Sequence, residues 1–132
     1  MRAARIAAYG GPEQLTVEDV ADPTCGPNDV LVDIHASSVN PVDYKIRLGA
    51  QRAIIRLKLP ATLGMDLSGV VAEVGASVQG FAVGDEVYSS PSHKRMGTYA
   101  ERILVRPSEL AHKPKSLSHQ EAASLPLVAL TA

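Results

Sequence analysis

With 132 residues, 45% of them hydrophobic and 20% charged, the chain is long enough for one ordinary domain with its own core and too short for two of typical size. A net charge of −1 provides no basic field for a nucleic-acid backbone, and no apolar run approaches the ~18 residues of a membrane span. Cys25 stands alone, which excludes an internal disulfide and a cysteine-rich zinc site.

Arg5–Tyr9 and Leu15–Val20 read as an opening antiparallel pair around a Gly10-Gly11-Pro12 turn. A proline-punctuated loop follows from Asp22 to Asn28. Cys25 lies in it with no His or second Cys nearby in sequence to lower its pKa, so an inert thiol is expected. Asp29–Val39 is a strand in which Val30, Val32, Ile34 and Ala36 alternate with Leu31, Asp33, His35 and Ser37. His35 then points away from the core. Next comes a helix over 41–48, with Asn40 as its N-cap, Pro41 at the first helical position and Gly49 past its end. Asp43 suits the helix dipole at the third position. Residues 50–63 carry Arg52, Arg56 and Lys58 and read as loop or a weak helical turn.

The middle of the chain, GMDLSGVVAEVGASVQGFAVGDEVY, predicts two strands, Asp66–Val74 and Asp85–Ser89, joined by a glycine-punctuated turn. Val70, Ala72 and Val74 are expected on one face, with Val71 and Glu73 on the other. Pro91–Gly97 is a polar loop. Thr98–Val105 and Leu110–Lys113 complete the strands. Ser118-His119-Gln120-Glu121 is a capping box that opens a helix through Leu125, and a second apolar piece begins at Pro126.

The four histidines, His35, His93, His112 and His119, show no metal-ligand spacing, and a catalytic zinc needs about three protein ligands. Asp66 reads as a hydrogen-bonded carboxylate at a strand entry. Gly75 and Gly80 flank a strand turn with no βαβ context, so no dinucleotide fingerprint is present.

The spacing G-x-D-x-x-G-V-V-x-x-V-G-x-x-V-x-x-F-x-x-G-D-x-V, running from Gly64 to Val87, resembles the catalytic domain of the medium-chain dehydrogenase/reductase family. The resemblance implies a mainly β fold with short helices, a GroES-like partly open β-barrel. It assigns residues 1–125 to that catalytic (substrate) domain and 126–132 to the start of a junction with a dinucleotide-binding domain. Zinc-dependent members place a cysteine before the helix and a His-Glu pair at the central strand. Here those positions hold Asn40, and Met65 with Asp66, and the four-cysteine lobe is absent. S-x-N-P-x-D with Met-Asp is similar to the zinc-free branch, the quinone and enoyl reductases.

That branch implies hydride transfer from NADPH to a carbon conjugated with a carbonyl, on a small-molecule substrate and without zinc. The protein's share of such chemistry is orientation, polarisation and exclusion of water. By resemblance, Asn40 stands at the junction of cofactor and substrate, and its helix cap is a compatible role. Tyr44, one turn on, offers a phenol to a carbonyl or serves as a packed aromatic with a wet tip. Thr131, in the run L-V-A-L-T-A, matches a threonine near the nicotinamide carboxamide. Alone, the chain is expected to be inactive. A stand-alone GroES-like binding or co-chaperonin-like module is the alternative, against which the basic residues of 50–58 make a poor apolar tip. The N-terminus lacks a signal-peptide core, so the cytoplasm is the expected location. The apolar C-terminal segment, deprived of a neighbouring domain, offers an artificial interface through which two copies can pair as a homodimer.

Overall fold

The structure, a computed structural model, describes residues 1–132. Its elements are β1 (Arg2–Ile6), β2 (Leu15–Asp19), β3 (Val30–Ser37), α1 (Pro41–Leu48), β4 (Ala61–Thr62), β5 (Leu67–Val74), β6 (Glu86–Ser89), β7 (Arg102–Val105), β8 (Ala111–His112), α2 (His119–Ala123) and α3 (Pro126–Thr131). The strands run β2-β1-β4 in one sheet and β7-β3-β5-β6-β8 in the other. Every pairing is antiparallel. One isolated antiparallel bridge pairs Ala3 of β1 with Ala100, just ahead of β7. This is the partly open GroES-like barrel implied by the central motif.

The larger core fills the barrel with Val30, Val32, Leu67, Val71, Val87, Ile103, Val105 and Leu110. Each such side chain contributes about 1.5–3 kcal/mol when fully buried. A second core, Ile6, Ile46, Leu63 and Met65, sits beneath α1 and takes in Val42, Tyr99 and Leu127 at its edge.

The central strands break the simple alternation expected of them. Val30 pairs with Val74, but Val32 pairs with Val71, so Ala72 is an extra residue and β5 bulges. The bulge puts Val71 in the core and lets Val74 pack against it as well. Val71 and Val74, expected on opposite faces, therefore reach the same core. A second irregularity makes His35 the extra residue of β3, between Ile34 opposite Gly69 and Ala36 opposite Ser68. His35 is exposed, as expected, and its ring lies 4.6 Å from that of His119. Gly69 is required here, because a Cβ would run into the Asp33 carbonyl oxygen.

Several boundaries move for physical reasons. The first strand is Arg2–Ile6 rather than Arg5–Tyr9: Arg2 pairs with Asp19 and Ile6 with Leu15, while Arg2 and Arg5 find Glu101 and Glu18. Tyr9 leaves the sheet, and its hydroxyl accepts from the Leu57 N–H at 3.2 Å. The strand expected from Thr98 begins only at Arg102, because Thr98 and Tyr99 turn inward to side-chain partners. Residues 50–63 contain β4, paired to β1. The last apolar piece is a helix, α3.

Candidate functional site

Asn40 has an extended backbone (φ −116°, ψ 156°) and opens α1, which Gly49 closes at φ 85°. Its N–H donates to Asp43 Oδ2 at 2.7 Å, the reciprocal arm of a capping box. Its side-chain Nδ2 turns the other way and donates to Asp66 Oδ2 at 2.8 Å. Asn40 thus joins two buried carboxylates, one by its backbone and one by its amide.

Asp66 is fully buried and accepts three hydrogen bonds. Ser38 Oγ donates at 2.7 Å and Asn40 Nδ2 at 2.8 Å to one oxygen; the Leu127 N–H donates at 2.8 Å to the other. Leu127 lies in the first turn of α3, so this carboxylate ties the Asn40 loop to that helix. The backbone oxygen of Asp66 also accepts from Ser37 Oγ at 2.6 Å, and Ser37 Oγ meets Thr98 Oγ1 at 2.9 Å.

Asp43 is buried, with Oδ1 lacking any partner. Burial pushes its carboxyl above the usual range, although the Asn40 N–H and the Tyr99 hydroxyl favour the charged form. Tyr99 donates to Asp43 Oδ2 at 2.9 Å. Its phenol is raised by burial first and then by Asp43, so it stays a donor. Gly64, at φ 104°, lets this wall close: a Cβ there would collide with Thr98 Oγ1 and the Tyr99 ring.

Thr131 is exposed on α3, one turn beyond Leu127, whose carbonyl accepts from the threonine hydroxyl at 2.7 Å. Tyr44 is also exposed and makes no hydrogen bond through its phenol. The structure therefore brings Asn40 and the helix of Thr131 together through Asp66 and leaves Tyr44 outside that network. At the positions of interest for zinc stand an amide, a thioether and a carboxylate already holding three donors. No group of three His, Cys, Asp or Glu side chains comes together anywhere to hold an ion. Cys25 Sγ faces the Asp29 carbonyl oxygen at 3.4 Å, and burial raises its thiol pKa.

Residues 26–115 match the family model for the alcohol dehydrogenase GroES-like domain. The chain belongs to that family. Its relatives include the human mitochondrial NAD(P)H oxidoreductase RTN4IP1, 45% identical over 118 residues that cover 80% of this chain and 30% of that protein. The tomato (Solanum lycopersicum) 2-methylene-furan-3-one reductase is 41% identical over 139 residues, covering 100% of this chain and 36% of that protein. The solved quinone oxidoreductase of Coxiella burnetii superposes with a TM-score of 0.92 at 35% identity, over 99% of this chain and 42% of that one. This GroES-like domain therefore spans roughly a third of each curated relative, within the N-terminal part of medium-chain dehydrogenase/reductase oxidoreductases.

Sequence alone pointed to Ser38 only as part of S-x-N-P-x-D, and to neither the inward partners of Thr98 and Tyr99 nor the bonds from Asp66 to Ser38 and Leu127. One signal was present. The run Ser37-Ser38-Val39-Asn40 holds more hydroxyls than one helix cap can use.

Proposed function

We propose that this domain holds the substrate in a zinc-independent, NADPH-dependent reductase of quinones or activated alkenes. Residues 1–125 form the substrate domain in this reading, and 126–132 begin the junction to a dinucleotide-binding domain. The observation that carries it is the shared carboxylate of Asp66, which fixes the Asn40 loop and the start of α3 relative to each other. A site assembled from two chain segments needs that rigidity.

The residues present fit the nicotinamide end of such a cofactor and no more of it. Asn40 and Thr131 would hold the carboxamide side. An all-antiparallel fold offers no strand–turn–helix cradle for a pyrophosphate. When bound, the cofactor supplies the hydride. Asp66 keeps the Asn40 amide in one orientation, and Tyr44 is free to donate its phenolic proton to an acceptor oxygen. Asp43 and Asp66, buried with no cationic partner, make this end of the barrel favourable to a ring that becomes positively charged.

Titrating the 132-residue chain with NADPH, followed by cofactor fluorescence, tests this division of labour. No saturable binding is expected of the chain alone, and binding is expected once the chain is joined to a relative's dinucleotide-binding domain. Low-micromolar binding by the chain alone would sink the proposal.

A further inference from the structure

One pocket of the barrel has segregated charge. Between Asp43 and Asp66 the sequence places Lys45, Arg47, Arg52, Arg56 and Lys58 with no acidic residue, and none occurs between Glu86 and Glu101 around Lys94. The fold brings these two stretches together. Residues 54–58, 61 and 62 of the first stretch and 93, 94 and 96 of the second line one cavity of about 420 Å³. Its lining contains no carboxylate.

The backbone explains how the pocket acquires two characters. Along 55–59, Ile55, Leu57 and Leu59 are half-buried against the second core while Arg56 and Lys58 are exposed. Opposite them a single turn, His93–Arg95, presents Lys94 and ends on Met96, which packs on the same core. Of the ten Lys and Arg side chains other than Arg56, Lys58 and Lys94, six, Arg2, Arg5, Arg95, Arg102, Arg106 and Lys113, each lie within 4.0 Å of a carboxylate oxygen. Arg56, Lys58 and Lys94 form no ion pair and no side-chain hydrogen bond. Three of the protein's unpaired cations thus share one cavity with an apolar wall.

We infer that this pocket binds an amphipathic organic anion, a carboxylate or phosphate monoester carrying an aliphatic chain. The chain lies against Ile55, Leu57 and Met96, and the anionic head relieves the mutual repulsion of Arg56, Lys58 and Lys94. The cavity falls in the size range of small-molecule sites. Nothing in this inference depends on hydride transfer.

Amide NMR of the chain titrated with decanoate, kept below its micellar concentration, tests it. Saturable shifts confined to residues 54–62 and 93–96 are expected. Decanol, which lacks the charge, binds at least about tenfold more weakly, the order that one charge-assisted contact is worth. The double variant R56Q/K94Q loses decanoate affinity by a similar factor at unchanged melting temperature, and added salt weakens the wild type. Decanol or decyltrimethylammonium binding as well as decanoate overturns the inference, as do shifts mapping to the separate cavity that Tyr88, Leu110 and Leu130 line beside α3, or no saturation at all. Capture by anionic phospholipid vesicles without decanoate binding also overturns it: the exposed Ile54 would then mark a membrane contact instead.

Discussion

Replacing Asp66 with asparagine keeps the side-chain volume and removes one acceptor, which makes it a direct probe of the link between the Asn40 loop and α3. One carboxylate oxygen serves Ser38 and Asn40, and the other serves the Leu127 N–H. An amide retains only one oxygen. Facing it toward Ser38 and Asn40 preserves two bonds and sets an NH2 against the Leu127 N–H. A buried donor stranded in this way costs about 1–3 kcal/mol. Taking about 2 kcal/mol, a chain of this size should melt about 6–10 °C lower. Urea denaturation gives the stability change, and hydrogen exchange gives its location. The Leu127 amide should lose protection more than the amides of β3 and β5 do. A stability change within about 0.5 kcal/mol, the level of an ordinary surface substitution, together with unchanged Leu127 exchange would refute the reasoning.

Three further outcomes follow from the same geometry. Gly64→Ala forces a Cβ into Thr98 and Tyr99 at a positive φ, so a loss of about 3 kcal/mol or more in chemical denaturation is expected. His119 hydrogen-bonds Ser68 Oγ at 2.7 Å and lies beside His35, Glu86 and Lys113. Its pKa sits below the usual 6.5, through burial first and then His35, with Glu86 opposing. The unfolded chain therefore takes the proton first. The stability it contributes is present in full above about pH 6.5 and declines as pH falls below that value toward the folded pKa. His119→Gln should flatten this slope in urea midpoints measured on either side of it. Cys25, whose thiol is raised by burial, should alkylate more slowly at neutral pH than a free thiol in a peptide, and faster only once the chain is unfolded.

What was legible in the sequence was what local chemistry decides. Asn40, Pro41, Asp43 and Gly49 announce α1 because capping acts within one turn, and Ser118 with Glu121 announces α2 in the same way. The paired turns and the period of two announced an all-β core, and the barrel was implied only through the family resemblance of the Gly64–Val87 spacing. What stayed hidden depends on partners far away in sequence. Asp66 reaches Asn40 across 26 residues and Leu127 across 61, and Thr98 meets Ser37 across 61. No local pattern encodes those pairings. The bulge at Ala72 was equally invisible, since Val71 and Val74 reach the same core only after an extra residue resets the phase. Arg2 was missed as a strand start because propensity does not count an arginine that has Glu101 to face.

The proposed function is a metal-free reductase in which Asn40 organises the junction of cofactor and substrate. It is tested by following NADPH oxidation with a benzoquinone and with an α,β-unsaturated ketone, using this domain joined to a dinucleotide-binding domain and treated with a chelator. The account predicts turnover that survives the chelator and falls by about 100-fold in kcat/KM for Asn40→Ala, the scale expected when a reacting group loses its positioning. Turnover that needs added zinc, or an Asn40→Ala variant as active as the wild type, would contradict it.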